Sequence, residues 1–313
     1  MHVIETVALS KIFLARPAVA DLDLQVQAGE IYGFLGPNGA GKTTTIRMLT
    51  GLLPPSRGQA RVAGYDLRTH PDDVRACIGL LPESIGYYGW MTAVEYLGFF
   101  ADLYGVRPPE ARERIRALLQ RVGLADRQQT RIATFSRGMR ARLGLARVLV
   151  HRPRVVFLDE PTLGLDPLGQ RDVLELIQHV NREEGTTVFL SSHALDQVGH
   201  LCSRIGILHE GRLIAQGTTA ELAHRLTLPY TVRVTVTDMA RAEHVAKGLG
   251  VYATLSVLDE ACLALTPKTD EAHTAMLVQA LVKAGVGVRE VLVNTPTLED
   301  VFFALVRQVR STA

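Results

Sequence analysis

The chain has 313 residues, 47% of them hydrophobic, and a formal net charge of +2. That is enough apolar material for one large domain and a small one, and too little charge to favour nucleic acid as a partner. Cys77, Cys202 and Cys262 are too far apart for paired zinc spacing and fit a reducing compartment, and no uncharged apolar run reaches roughly 18 residues, so a cytoplasmic chain without a transmembrane helix is expected.

Met1 to Glu5 opens with an acid and no basic flank, which reads as a strand and not as a signal peptide. Val3 to Leu9 forms that strand, and Leu22-Asp23-Leu24-Gln25-Val26 alternates as a half-exposed strand does. Ile31 to Leu35 is a short apolar strand that runs into a glycine-rich loop, and Thr43 to Thr50 has helical periodicity. The middle is helix-rich, with Ala93 to Tyr104, Glu110 to Val122 and Arg137 to Val150. Val155 to Leu158 is a buried-type strand that ends on two acids; Val173 to Glu183 is a helix; Thr187 to Leu190 and Ile205 to His209 are strands. The character changes near Thr219 to Leu228. Beyond it come strand Tyr230 to Val236, helix Ala240 to Leu249, strands Ala253 to Leu258 and Cys262 to Leu265, helix Glu271 to Ala284 and strand Val288 to Val293. This β-α-β-β-α-β order predicts a small split-βαβ sandwich, closed by a helix from Thr297, its N-cap, to Val306.

Gly36-Pro37-Asn38-Gly39-Ala40-Gly41-Lys42-Thr43 fits the phosphate-loop pattern G-x-x-x-x-G-K-[ST], with Thr44 next on the helix. The glycines let successive backbone N–H groups point at phosphate oxygens. Lys42 supplies a cation, the Thr43 hydroxyl a Mg²⁺ ligand, and the following helix its positive end. A guanine-reading Asn-Lys-x-Asp segment, which a GTPase would carry, is absent from the sequence. Asp159 at the end of its strand is placed to hold Mg²⁺ through water. Glu160, turned the other way by the strand pleat, is placed to orient or deprotonate an attacking water.

Phe135-Ser136-Arg137-Gly138-Met139, Asp159-Glu160-Pro161-Thr162, Gly164-Leu165-Asp166-Pro167 and Ser191-Ser192-His193 follow in that order. Over roughly residues 1 to 220 the chain resembles an ATP-binding-cassette (ABC) nucleotide-binding domain. The resemblance implies an α/β fold of the P-loop ABC type over residues 1–222: a RecA-like core, an antiparallel β subdomain and a helical signature subdomain at about 84–150. A small α+β domain at 229–313 would follow. It implies an ATPase that uses ATP and Mg²⁺, with Lys42, Glu160 and His193 catalytic, and Thr43, Asp159 and Glu83 at the metal. Phe13 resembles the aromatic that stacks on adenine, although a core aromatic would look the same. Ser136 and Gly138 resemble the signature that contacts the γ-phosphate held by a second subunit, and Asp166 the loop that crosses the head-to-tail dimer.

The signature usually reads Leu-Ser-Gly-Gly-Gln; here Phe135, Arg137 and Met139 replace the leucine, the first glycine and the glutamine, and Glu83 stands where the family usually has glutamine. Such changes, and the tail Asn294-Thr295-Pro296-Thr297-Leu298-Glu299-Asp300-Val301-Phe302, resemble bacterial two-component exporters of the ABC-2 type. That implies a homodimer serving a separate transmembrane permease on the cytoplasmic face of the membrane. A soluble family ATPase, for example in iron–sulfur assembly, and a non-catalytic nucleotide-binding regulator are the alternatives. Ser84 to Tyr104 is expected to face the permease through Tyr87, Tyr88 and Trp90, which could equally pack within the helical subdomain.

Overall fold

The computed structural model describes residues 2–14, 16–195, 199–226, 228, 231–269 and 273–312. Tyr230 and Glu271, with which the sequence opens a strand and a helix, lie outside the described residues. The chain divides into two compact units, Met1–Thr218 and Thr219–Ala313.

The first unit holds two sheets. In one, β1 (His2–Phe13) pairs antiparallel with β2 (Arg16–Leu22), β3 (Gln25–Gln27) and β5 (Arg57–Val62), and β6 (Tyr65–Asp66) extends it. The continuous strand expected over Leu22–Val26 breaks at Asp23 and Leu24, between β2 and β3. Asp23 turns its carboxylate onto the Ala8 N–H at 2.7 Å, and the Leu24 N–H donates to Thr6 Oγ1 at 2.9 Å. Side chains thus take over bonds that a regular ladder would make.

The other sheet contains β4 (Ile31–Leu35), β7 (Ile78–Leu81), β8 (Val155–Asp159), β9 (Thr187–Ser192), β10 (Arg204–His209) and β11 (Arg212–Gly217), in the order β11-β10-β4-β9-β8-β7. All but the β10–β11 pair run parallel. Every residue of β4, β8 and β9 is buried, which is why these strands read as continuous apolar runs. Tyr32 on β4 and Phe157 on β8 both pair with Phe189 on β9. Their rings lie 5.6 and 5.4 Å from it. This cross-strand row fixes register, because a slip of one residue would turn the rings to the other face. With that register set, Leu35 lies opposite Ser192 and Asp159 opposite Ser191. The loops leaving β4, β8 and β9 therefore start at one level, at the carboxyl ends of parallel strands, where α/β sheets bind ligands.

Helix α1 (Lys42–Leu49) follows β4 and touches β2, β5 and β8, so it contacts both sheets. Its Ile46, Met48 and Leu49 join Val3, Ile4, Leu9, Phe34 and Phe157 in one buried core. Helix α2 (Pro71–Cys77) precedes β7. Helices α3 (Ala93–Leu103), α4 (Pro108–Arg121) and α5 (Arg137–Leu149) pack on one another as the helical subdomain. Thr92 and Glu95 close a capping box at the start of α3. Helix α6 (Pro167–Glu184) lies between β8 and β9 in the chain.

The second unit has a four-stranded antiparallel sheet of β12 (Thr231–Val236), β13 (Tyr252–Val257), β14 (Cys262–Pro267) and β15 (Val288–Asn294), in the order β13-β14-β12-β15. Helices Met239–Gly248 and Thr274–Lys283 bury Ala242, Ala246, Leu277 and Leu281 against Val232, Val234, Leu263 and Leu265. This is the β-α-β-β-α-β order read from the sequence. In the closing helix, Leu298–Thr312, Thr297 Oγ1 accepts from the Asp300 N–H at 3.2 Å, the N-cap geometry its sequence predicts.

Candidate active site

The loop from Gly36 to Gly41 joins β4 to α1. Gly41 has φ +107°, and a Cβ there would meet the Ala18 carbonyl oxygen at 2.5 Å, so glycine is required on both counts. As the N-cap of α1, Gly41 offers no side-chain acceptor. The first N–H groups of the helix stay available to an anion, with the helix dipole behind them. Asn38, Gly39, Gly41, Lys42, Thr43 and Thr44 line a cleft of about 380 Å³, together with Ala18, Glu83, Glu160, Leu163 and His193. Gly36 and Ala40 are buried beneath it, and Pro37 is exposed.

Lys42 is 6% exposed, and its Nζ donates to the Gly36 and Pro37 carbonyls at 2.8 and 3.3 Å. It also lies 3.2 Å from Glu160 Oε1. That contact is a charge pairing off the hydrogen-bond line, since Oε1 has no hydrogen-bond partner among the described residues. Glu160 Oε2 meets His193 Nδ1 at 2.9 Å. A carboxylate only accepts, so Nδ1 carries the hydrogen.

The aim of Glu160 differs in origin from the expected pleat alternation. Strand β8 ends at Asp159, and Glu160 has φ +51°, a left-handed conformation costly for a residue with a Cβ. Its N–H reaches both the carbonyl and the hydroxyl of Ser191, each at 3.2 Å. Asp159 is 2% exposed, and its carboxylate accepts from the Ser191 hydroxyl at 2.5 Å. Ser191 thus holds both acids. Sequence reading placed it only as the residue two before His193; the repeated serine at the end of a buried strand is the signal that could have found it.

Ser136 caps α5, its Oγ accepting from the Met139 N–H at 3.2 Å, and Asp166 caps α6, accepting from the Gly169 N–H at 3.1 Å. Ser136, Gly138 and Asp166 line a second cleft of about 460 Å³ that shares no residue with the first. A third, of about 400 Å³, lies against both: it shares Glu83, Glu160 and Leu163 with the first, and Arg137, Gly164 and Leu165 with the second. Asp159 opens onto this third cleft. Phe13 lines none of the three; it is 45% exposed near the end of β1, with Lys11 Nζ 5.3 Å from its ring centre.

The three aromatics expected to share one role separate. Tyr87 turns inward, its hydroxyl donating to the Arg140 carbonyl at 2.6 Å and its ring against Tyr96. Tyr88 and Trp90 are 43% and 68% exposed; the Tyr88 ring lies between that of Trp90 at 6.1 Å and that of Phe99 on α3 at 5.8 Å.

Three comparisons bear on this arrangement. The ABC transporter family model matches residues 19–163. The chain is 35% identical to the linearmycin resistance ATP-binding protein LnrL of Bacillus subtilis (strain 168), over 95% of this chain and 96% of that protein. It is 38% identical to the daunorubicin/doxorubicin resistance ATP-binding protein DrrA of Streptomyces peucetius, over 96% and 92%. A solved ATP-binding subunit of an ABC transporter superposes with a TM-score of 0.66 at 33% identity, covering 72% of this chain and 94% of that one.

Proposed function

The chain belongs to the ATP-binding proteins of ABC transporters and is an ATPase, and on that premise we propose that it energises export by a separate transmembrane permease. Both relatives named above are resistance proteins that align along nearly their whole length, which supports the export reading. No helix among the described residues is long and apolar enough to cross a membrane; a subunit held at the cytoplasmic face by its permease fits that observation.

The observation that carries the catalytic reading is Glu160, whose carboxylate lies between Lys42 and His193 on the wall of the phosphate-loop cleft. Lys42 and the N–H groups at the start of α1 hold the phosphates of ATP. Glu160 orients or deprotonates the attacking water, and His193 fixes the direction of its carboxylate. Phe13 is proposed as the adenine contact; its resemblance to the stacking aromatic of the family and its exposure at the end of β1 support that role.

Thr43, Asp159 and Glu83 offer oxygen donors of the kind a small hard cation takes. Asp159 is a buried carboxylate with one hydroxyl partner among the described residues, so it has capacity left for a cation or its water. Among the described residues no group of three or more His, Cys, Asp or Glu side chains forms a metal cage. This suits Mg²⁺, which binds through one or two protein ligands plus phosphates and waters. When bound, it neutralises charge on the phosphates.

Ser136, Gly138 and Asp166 stand apart from the phosphate loop in the second cleft. That separation supports a shared site, in which the signature of one copy closes on ATP held by another, head to tail. The unit Thr219–Ala313 is proposed as an accessory domain that stabilises the dimer.

The test is the solution mass of wild type and Glu160→Gln with and without MgATP, beside phosphate release. The expected result is a dimer of Glu160→Gln on MgATP, while wild type turns ATP over and stays mostly monomeric. Hydrolysis by Glu160→Gln at the wild-type rate would overturn the assignment of Glu160.

A further inference from the structure

We propose that Arg137 is a positioning residue, tying the signature end of α5 to the loop that follows Glu160 in the same chain. Its Nη1 donates to the Gly164 carbonyl at 2.7 Å. Among the described residues this is the one hydrogen bond that joins residues 136–142 to residues 160–166. Arg137 and Gly164 both line the second and the third cleft.

The loop it grips is short and internally braced. The Leu163 N–H donates to the Glu160 carbonyl at 3.1 Å, and the Leu165 N–H to the Thr162 carbonyl at 3.2 Å. One end of the loop is Glu160 in its left-handed conformation. The other is Asp166, the N-cap of α6. Between them is Gly164, with φ +70°, where an added Cβ would lie 2.2 Å from Arg137 Nη1. The backbone at Gly164 is thus bare where the guanidinium reaches it. A force applied through the guanidinium reaches Glu160 at one end and Asp166 at the other.

The physical consequence concerns the helical subdomain. Arg137 is the first residue of α5, beside the Ser136 cap, so any rotation of α5 moves the guanidinium. A charge-assisted bond to a carbonyl is directional and stronger than a neutral one. It transmits that rotation to the loop beside the catalytic carboxylate. A glycine at position 137, as in the usual family signature, has no side chain to make this link. The inference rests on the reading of Glu160 as catalytic, but the tether itself does not.

The test compares full-length wild type, Arg137→Ala and Arg137→Lys in three measurements. The first is amide hydrogen exchange at Leu163 and Leu165 without nucleotide. The second is the ATP dependence of phosphate release. The third is the affinity for mant-ATP, with thermal midpoints as a control. In Arg137→Ala, exchange at both amides is expected to rise about fivefold or more, as local protection is lost with a charged hydrogen bond. Its kcat is expected to fall by a similar factor of about five, with KM and mant-ATP affinity within about twofold, because the residue acts on the loop and not on ATP. Arg137→Lys keeps one cationic donor and is expected to restore both. Unchanged exchange in Arg137→Ala would overturn the tether. Faster exchange with unchanged kcat would overturn the positioning role, as would a lysine no better than alanine. Should wild type itself fail to hydrolyse ATP, the reading of Glu160 fails, and the exchange measurement still decides the tether.

Discussion

His193 Nδ1 lies 2.9 Å from Glu160 Oε2, so the residue after β9 and the residue after β8 meet across the end of the parallel sheet. Lys42 faces the other oxygen at 3.2 Å. The carboxylate is therefore oriented from both sides, one partner coming from the phosphate loop and the other from the strand beside its own.

Replacing His193 by alanine removes one of these two constraints. The expected outcome is a fall in kcat of about 10- to 100-fold, below the full contribution of a general base because Glu160 remains. Binding of mant-ATP should stay within about threefold, since Lys42 and the N–H groups of the phosphate loop are untouched. Phosphate release and fluorescence titration check the two halves separately.

Ser191→Ala withdraws the hydroxyl that serves Asp159 and the Glu160 N–H together. A buried carboxylate left without its donor costs about 1–3 kcal/mol. The urea midpoint of the first unit should fall accordingly, and kcat should fall with it. An unshifted midpoint would show that water replaces the hydroxyl.

Tyr88→Ala combined with Trp90→Ala should leave basal ATP hydrolysis unchanged and abolish its stimulation by the permease. Both side chains are exposed and neither lines the phosphate-loop cleft. Equal loss of basal and stimulated activity, measured with and without reconstituted permease, would remove them from the docking surface.

His151 gives stability a pH dependence. Its ring stacks on Tyr104 with centres 3.6 Å apart, its Nε2–H donates to the Ile78 carbonyl at 2.8 Å, and its Nδ1 is buried without a partner among the described residues. Burial holds its pKa below the ordinary value of 6.5, with Arg114 adding to the fall and the bond to Ile78 opposing it. Below about pH 6.5 the unfolded chain takes up a proton that the folded one resists. Stability therefore rises with pH in this window and is lost as pH falls beneath it. His151→Phe should flatten the drop in unfolding midpoint between about pH 7.5 and 5.5.

Contiguous features were legible in the sequence. The phosphate loop announces itself within eight neighbouring residues, and the buried run Val155 to Leu158 fixes where Asp159 and Glu160 emerge. Periodicity and turn residues marked the long helices and the buried strands around the site, whereas β2, β5, β6, β7 and α2 were not read from the sequence. What stayed hidden depends on distant partners. Nothing local indicates that Tyr87 turns inward while Tyr88 faces out, because both rings meet Tyr96 and the contact that separates them is the Tyr87 hydroxyl on the distant Arg140 carbonyl. The left-handed turn at Glu160 is held by Ser191, and the grip of Arg137 on Gly164 spans 27 residues. Such pairings arise from the packed fold, which pattern alone does not encode.

The aromatic row of Tyr32, Phe189 and Phe157 carries a consequence for how this chain can change in length. Because it locks three strands in one register, deleting Leu158 or Leu190 would leave the rings in place only by exchanging Asp159 or Ser191 with a neighbour of opposite facing. Insertions and deletions are therefore confined to the connections at the far end of these strands. The spacing from each ring to its polar strand end behaves as a fixed ruler.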